Sequence, residues 1–265
     1  MTEQSETSLD VVEQVVNYHE NGQISEKCTL NKAGQLQGNT QIYNEQGELL
    51  QVVPFKNGVI DGEVITYEKA QFVQTSQMKN GLLDGPSMMY DEQGHLTQSV
   101  QFKNNLMEGE VCSYSEGKML SKLNYKAGKQ EGLAIFYQEN GEIQGEVNYQ
   151  ADKLHGKAAW YDEQGRLLKE MYYQEGKLEG ESLDYYDNGI VKVRAYFENN
   201  KQEGECITYY PNGNVREVID FKKGKPIEQS ITYYPNGNVH EITYYEEGKP
   251  YQKVLHDHKG REQKS

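Results

Sequence analysis

Short runs of alternating apolar and polar residues recur along this chain at a regular spacing. The stretch YYPNGNVREVIDFKKGKP at residues 209–226 returns as YYPNGNVHEITYYEEGKP at residues 233–250, with starts 24 residues apart. Alternation with a period of two predicts strands that bury one face, and self-similarity at a fixed spacing is typical of a repeat array. We therefore predict a chain built from repeated pairs of strands.

Each repeat unit begins after a recurring glycine. The fifth residue of every unit is Tyr, the third is usually apolar, and positions 11, 15 and 17 are again mostly apolar. Nine units fill residues 39–252, after a degenerate capping repeat at 14–38 and before a truncated repeat and tail at 253–265. Residues 1–13 have the composition of a disordered or irregular tail. The predicted fold is all-β: an elongated, single-layer antiparallel β-meander of hairpins, each stabilised chiefly by its neighbours.

The turns can be predicted by requiring the apolar residues of both strands to share a face. With PNG as a three-residue loop, Tyr209 lies opposite Val215, which predicts a type I turn followed by Gly213 at positive φ. In the shorter unit, YSEGKM, a two-residue loop still places Tyr114 opposite Met119. The connection between units, such as QEGKLEG, leaves two glycines as candidates; we favour a turn at the first and a bulge at the second.

An aromatic residue recurs at every half-repeat of 11 or 12 residues, from Tyr43, Phe55 and Tyr67 onward, with Met78 as the only substitute. We predict that these rings form one ladder along one face of the sheet. Cross-strand pairs of this type contribute roughly 0.2–1 kcal/mol each. The ladder would replace a thick core, which the apolar fraction of 35% does not favour.

The pattern of Tyr, then NG or QG, then an aromatic residue and two further glycines resembles the bacterial variant of the MORN repeat. The resemblance covers residues 39–252. Many bacterial proteins with this variant are grouped as YwqK-family antitoxins. The resemblance therefore implies a protein that neutralises a cognate toxin by binding it.

A second set of aromatic residues begins in the middle of the chain, at even-numbered unit positions, and is predicted to occupy the face opposite the ladder. The members of this set are Phe136, Trp160, Tyr172, Tyr186, Tyr196, Tyr210, Tyr234 and Tyr244. Exposed aromatic rings on one surface are typical of a protein-binding site. The alternatives are that Tyr simply favours strands or that this face packs on itself.

Acidic residues accompany this predicted surface, namely Asp162, Glu170, Asp184 and Asp187. They could steer a basic partner, although such charges more often form only a solvated face. The chain carries 41 acidic and 27 basic residues, a net charge of -14, which opposes nucleic acid and makes anionic membrane lipid an unfavourable partner.

The sequence contains little that predicts catalysis. No Ser, Cys or Lys lies in a motif for an activated nucleophile, and HDH at residues 256–258 lacks a second cluster of metal ligands. We expect no enzyme activity, no cofactor and no metal. Cys28, Cys112 and Cys206 are widely spaced, which suits small core residues in a reducing compartment. This cysteine usage, without a signal peptide, predicts a cytoplasmic location.

The favoured hypothesis is a non-enzymatic antitoxin or immunity protein that binds a protein partner, such as a basic toxin, through the aromatic and acidic surface. The alternative is a MORN-type structural scaffold for protein–protein interaction. The sequence leaves the oligomeric state open.

Overall fold

The computed structural model describes residues 11–69 and 71–263, and it contains 24 strands assigned to one antiparallel sheet. Successive strands pair as hairpins, and the described residues contain no helix. There is accordingly no helix in this part of the chain that could span a membrane. The prediction of an all-β hairpin meander is confirmed. Most of the predicted N-terminal tail lies outside the described residues.

The chain divides into two compact units, one ending at Lys129 and one beginning at Gln130. The strands of the first unit are β1 (Val11–Tyr18), β2 (Ile24–Asn31), β3 (Gly38–Tyr43), β4 (Leu49–Lys56), β5 (Val59–Ile60), β6 (Gly62–Glu68), β7 (Gln71–Lys79), β8 (Leu82–Tyr90), β9 (Leu96–Lys103), β10 (Leu106–Ser115) and β11 (Lys118–Lys126). Strand β12 (Lys129–Gln130) follows. The strands of the second unit are β13 (Gly132–Tyr137), β14 (Ile143–Gln150), β15 (Lys153–Tyr161), β16 (Leu167–Gln174), β17 (Lys177–Tyr185), β18 (Val191–Glu198), β19 (Lys201–Gln202), β20 (Gly204–Tyr209), β21 (Val215–Lys222), β22 (Lys225–Tyr233), β23 (Val239–Glu246) and β24 (Lys249–Leu255).

The turn inside each unit has the predicted geometry. Between β20 and β21, the Gly213 N–H donates to the Tyr210 carbonyl at 2.9 Å, and Gly213 adopts a φ of 87°. Tyr209 pairs with Val215, as predicted. In the shorter unit, Tyr114 pairs with Met119 across a two-residue loop. These local turn predictions are confirmed.

The connection between units also follows the favoured interpretation. Glu175 and Gly176 have φ values of 52° and 81°, which is the signature of a type I′ turn. Four residues later, Gly180 (φ 90°) lies in a bulge of β17. The bulge falls between Leu178, which pairs with Tyr173, and Ser182, which pairs with Met171. The first Gly therefore turns the chain and the second lies in the bulge.

An additional bulge, which the alternation did not reveal, follows the first turn of each full-length unit. In the first of these units, Tyr43 pairs with Leu49 and Ile42 pairs with Gln51, so Leu50 is an extra residue. Side chains alternate between faces along a strand, so an extra residue at unit position 12 changes the face on which the rest of the second strand places its side chains.

The bulge makes the prediction of a single aromatic ladder wrong. Phe55 pairs with Gly38, which places its ring on the face of Thr40, whereas Tyr43 points to the other side. Unit positions 1, 3, 5, 14 and 16 share what we call the tyrosine face. Positions 2, 4, 13, 15 and 17 share the opposite, small-residue face. Each face therefore has its own aromatic row, at position 5 or at position 17.

The core is a row of small side chains at positions 2 and 15 of the small-residue face. Ala134 and Ala158 are 1% exposed, and Thr40 is 2% exposed. Large side chains of neighbouring rows cover this row; the Tyr245 hydroxyl, for example, lies 3.4 Å from Ser230 Oγ. The buried members are Thr40, Val53, Ser76, Ser87, Val100 and Val111 in the first unit, and Ala134, Val147, Ala158, Ser182, Ala195, Cys206, Ser230 and Thr243 in the second. The three cysteines are buried and free, as predicted for small core residues.

Candidate functional site

The eight aromatic residues of the predicted binding surface do not share one surface. The prediction of a common face is wrong because the position-12 bulge separates even-numbered positions of the two strands onto opposite faces. Three groups result. Phe136 and Trp160 lie on the small-residue face, Tyr172, Tyr196 and Tyr244 lie on the tyrosine face, and Tyr186, Tyr210 and Tyr234 lie at the hairpin turns.

The three turn tyrosines connect successive repeats. The Tyr186 hydroxyl donates to the Tyr209 carbonyl at 2.7 Å, and the Tyr210 hydroxyl donates to the Tyr233 carbonyl at 2.7 Å. Tyr234 donates to the His256 carbonyl at 2.9 Å. Because these hydroxyls bond to the backbone of the next repeat, they have a structural role at this edge.

Asparagine side chains reinforce the same edge. Asn188 Nδ2 donates to the Pro211 carbonyl at 2.8 Å, and Asn236 Nδ2 donates to the His258 carbonyl at 3.1 Å. We call these tyrosine and asparagine bonds the turn spine. The sequence signal for the spine was the repeated YPN and YDN at adjacent turns, which we interpreted only as turn chemistry.

The opposite edge has its own inter-repeat bonds, from the acidic residue that precedes the second Gly of most units. Glu179 accepts a hydrogen bond from the Asn199 N–H at 2.8 Å, and Glu203 accepts one from the Lys223 N–H at 2.7 Å. The recurrence of DG and EG at 24-residue spacing could have indicated this role. These carboxylates hold the turn of the following repeat.

Two of the predicted binding residues expose their rings on the tyrosine face of the second unit. Tyr172 is 42% exposed and Tyr196 is 40% exposed. The Tyr196 hydroxyl donates to Glu181 at 3.2 Å, and the Tyr161 hydroxyl donates to Glu146 at 2.9 Å. Most polar groups on this face are therefore paired with each other.

Glu170, one of the predicted steering acids, lies within this paired network. It forms an ion pair with Lys157 and accepts a hydrogen bond from the Tyr185 hydroxyl at 3.2 Å. Burial, followed by the charge of Glu170, raises the pKa of Tyr185 to about 12. An exception to the pairing is the Arg194 Nε, which is buried without a hydrogen-bond partner among the described residues.

The other steering acids have different surroundings. Asp162 accepts hydrogen bonds from the Arg166 N–H at 2.9 Å and from Arg166 Nε at 2.6 Å, so the turn already occupies it. The Asp187 side chain is 80% exposed at a turn. Asp184 alone lies on the small-residue face, where it pairs across strands with Lys169. The four acids do not form one cluster.

Phe136 and Trp160 lie in the row at positions 4 and 13 of the small-residue face. Gly145 pairs with both residues, and a Cβ at Gly145 would lie 3.3 Å from Trp160 Cδ1. The indole ring therefore packs over the glycine. On its other side, Trp160 pairs with Lys169, where an open groove begins.

This groove, of about 420 Å³, crosses strands β16 to β21 on the small-residue face. Ala195, Cys206 and Ile219 form its floor. The phenyl rings of position 17 line one side and the polar row of positions 4 and 13 lines the other. The lining side chains used below are Phe197, Phe221, Lys169, Asp184, Thr208 and Glu217.

Polar atoms in the groove are left without hydrogen-bond partners. Within the described residues, Asp184 Oδ1 and Thr208 Oγ1 are buried and accept or donate no hydrogen bond. Lys169 Nζ lies 3.2 Å from Asp184 Oδ1 as an ion pair without hydrogen-bond geometry. Burial raises the pKa of the Cys206 thiol, which keeps it neutral. The groove thus offers acceptors beside apolar surface and no activated thiol.

The described residues bring together no group of three potential metal ligands. In the HDH segment, the Asp257 carboxylate accepts two hydrogen bonds from Arg261, one from the side-chain Nε at 2.8 Å and one from the backbone N–H at 3.0 Å. These bonds lower the pKa of Asp257 to about 2. The carboxylate is therefore engaged by the turn.

Five repeats match the family described as "MORN repeat variant", at residues 130–151, 154–175, 178–199, 202–223 and 229–247. This confirms the predicted MORN-variant repeats for that part of the chain, and it supports a repeat scaffold for protein interaction. No curated protein matches the chain. The YwqK antitoxin assignment stays a prediction.

The chain is distantly similar to several solved structures. The chain is similar to "TcdB2-TccC3-Cdc42" (11% identity, TM-score 0.19) and to "TcdB2-TccC3 without hypervariable C-terminal region" (13% identity, TM-score 0.23). These alignments cover 92% and 94% of this chain but only 16% and 17% of those chains. A porin-like protein from Bacteroides uniformis ATCC 8492 aligns at 11% identity and TM-score 0.19, over 76% of this chain and 91% of that one. TM-scores this low establish no common fold.

Proposed function

We propose that this protein is a non-enzymatic repeat scaffold that binds a protein partner on the small-residue face of its second unit. The observation that carries the proposal is the groove beside Trp160, which combines apolar surface with Asp184 and Thr208 atoms that lack hydrogen-bond partners. Burying a polar atom without a partner is unfavourable, so a ligand that supplies the missing bonds gains binding energy there.

The comparison of the two faces favours this choice. On the tyrosine face, Tyr161, Tyr185 and Tyr196 already donate to carboxylates. On the small-residue face, Asp184 Oδ1 and Thr208 Oγ1 lack hydrogen bonds, and Trp160 lies at the end of the groove. Trp is enriched among the residues that dominate binding energy at protein interfaces.

The finer proposal is that the partner is a toxin and that this protein is its antitoxin or immunity protein, acting in the cytoplasm. The resemblance to YwqK-family proteins and the net charge of -14 support a basic partner. The buried, unpaired thiols of Cys28, Cys112 and Cys206 suit a reducing compartment. The second candidate is a MORN-type scaffold without a toxin, which the five matching repeats support.

Co-expression with the product of the neighbouring gene tests the finer proposal. Rescue of growth, together with a complex that co-purifies, is the expected result, and Trp160→Ala should weaken both. Tyr172→Ala is the matched control, because Tyr172 is an exposed ring on the opposite face. Loss of the complex with Tyr172→Ala but not with Trp160→Ala would reject the small-residue face. Binding without any effect on growth would favour the scaffold.

A further inference from the structure

In the second unit, the polar row of the small-residue face places three carboxylates at comparable positions, and two of them already have a lysine. Asp184 has Lys169 Nζ at 3.2 Å. Glu241 accepts hydrogen bonds from Lys253 Nζ at 2.8 Å and from Thr243 Oγ1 at 2.7 Å. The side-chain bonds from Lys253 and Thr243 lower the pKa of Glu241. At these two positions the protein itself places a lysine beside the carboxylate.

Within the second unit, Glu217 is the carboxylate of this row for which the described residues supply no cation. Its cross-strand neighbours are Thr208 and Thr232, and neither can neutralise a charge. The described residues supply no ion pair or hydrogen bond to its carboxylate. Glu217 lines the groove, and the Thr208 hydroxyl beside it is buried without a partner. An uncompensated carboxylate and an open hydroxyl thus lie on adjacent strands, about 5 Å apart in the backbone.

We propose that Glu217 and Thr208 form a subsite for a cationic side chain, preferentially arginine, from a basic segment of the protein partner. A guanidinium can donate two parallel hydrogen bonds to the Glu217 carboxylate and another to Thr208 Oγ1. Its aliphatic stem would cross the apolar floor formed by Ala195 and Ile219. The phenyl rings of Phe197 and Phe221 border the same groove.

The neighbouring Glu241 shows that this chemistry fits the face. There, an ammonium and a threonine hydroxyl of the protein itself satisfy the carboxylate. At Glu217 the residue equivalent to Thr243 is Ile219, two cross-strand threonines lie beside the carboxylate instead, and the cation is missing. The partner would supply from outside the group that Lys253 supplies internally one repeat later. This inference rests on the proposed function, since it names the chemistry that the docking face recognises.

The test uses short peptides as probes and the full chain as the receptor. Acetyl-Ala-Arg-Ala-amide is titrated into isotope-labelled protein, and amide chemical shifts report the site and the affinity. The citrulline peptide is the neutral isostere of the arginine peptide, and the lysine peptide tests the preference for a planar cation. We expect shifts confined to the vicinity of Thr208 and Glu217, with citrulline binding at least about tenfold more weakly.

Substitutions locate the subsite. Glu217→Gln should weaken the arginine peptide at least about tenfold, and Thr208→Val should weaken it about twofold to fivefold. Glu198→Gln is the matched control, because it removes the same charge from an exposed residue whose side chain lies on the tyrosine face. Thr208→Val keeps the side-chain shape, so it remains informative if Glu217→Gln disturbs folding.

Equal binding of the arginine and citrulline peptides would overturn the proposal. So would a Glu198→Gln effect as large as that of Glu217→Gln, because it would show only long-range attraction by net negative charge. These outcomes are separate from failure of the proposed function. If the protein partner requires Trp160 but the arginine peptide does not bind at Glu217, the subsite is rejected and the proposed function is not. Arginine binding with no partner on this face would reject the proposed function instead.

Discussion

Removing a single hydroxyl from the turn spine should measurably destabilise the second unit. In Tyr210→Phe the ring remains, while the bond from the Tyr210 hydroxyl to the Tyr233 carbonyl, 2.7 Å long, is lost. The substitution distinguishes two roles that the sequence could not separate. A ring that anchors a partner should tolerate loss of its hydroxyl, whereas a ring that ties one repeat to the next should not.

The magnitude follows from the geometry of the bond. A typical intramolecular hydrogen bond contributes about 0.5–1.5 kcal/mol net to stability. The Tyr210 bond is short and part-buried, so we expect a loss of about 1 kcal/mol. Tyr186 and Tyr234 make equivalent bonds about one repeat away on either side, about 10 Å by two strand spacings. At that distance effects are nearly additive, so the triple Phe variant should lose about 3 kcal/mol.

The assay is urea unfolding followed by tryptophan fluorescence. Trp160 is the single tryptophan of the chain and lies in the second unit, so it reports on the unit that carries the three tyrosines. Tyr172→Phe is the matched control, since Tyr172 is 42% exposed on the tyrosine face. We expect the control to change the free energy of unfolding by less than about 0.5 kcal/mol.

Two results would refute this reasoning. If Tyr210→Phe and Tyr172→Phe change the unfolding free energy equally, the spine bond has no special contribution. If the triple variant unfolds at the wild-type urea concentration but no longer binds the partner, the turn tyrosines act in recognition, and their hydroxyls contact the partner rather than the next repeat.

Three further perturbations test other parts of the fold. Gly85→Ala should lower the free energy of unfolding by about 1 kcal/mol or more, because a Cβ there would lie 2.8 Å from a side chain and φ is 128°. Urea unfolding should show a smaller loss for Gly94→Ala, where φ is also positive but no atom lies close to the added Cβ. Glu179→Ala should speed hydrogen exchange of the Asn199 amide about fivefold, by removing its 2.8 Å acceptor, and an unchanged rate would contradict the edge role. The pKa of Tyr185 is raised to about 12 from an ordinary 10, so the native state holds the phenolic proton more tightly than the unfolded state does. The protonated phenol therefore contributes to stability fully below pH 10, and this contribution is lost as the pH rises towards 12. Unfolding at several pH values should show a shallower decline for Tyr185→Phe, and parallel profiles would refute this.

Features determined within a few residues were predictable from the sequence. The turn at Gly213 and the pairing of Tyr209 with Val215 both follow from a loop of known length that requires one residue at positive φ. At the connection between units, two glycines remained candidates, and the favoured turn at the first of them, Gly176, is the one observed. Turn geometry is local, so the residues that determine it are adjacent in the chain.

The composition of the candidate site was only partly predictable. The even-numbered unit position identified Trp160 as a candidate binding residue, but the same rule grouped it with Tyr172, which lies on the opposite face. The extra residue between them is Leu168, which leaves no signal in an apolar pattern because the neighbouring Leu167 is equally apolar. Glu217 was not identified, since one acid among 41 resembles an ordinary solvated charge until its neighbours are known.

By itself, the sequence determined the strands, their hairpins and the turn inside each unit, because each depends on residues near one another in the chain. Only the tertiary structure decided which side chains share a face. That outcome depends on a single extra residue per unit, such as Leu168, and moving the register by one residue transfers every later side chain to the other side of the sheet. It likewise decided that Glu217 lacks the cation that Glu241 has, because their neighbours come from different strands.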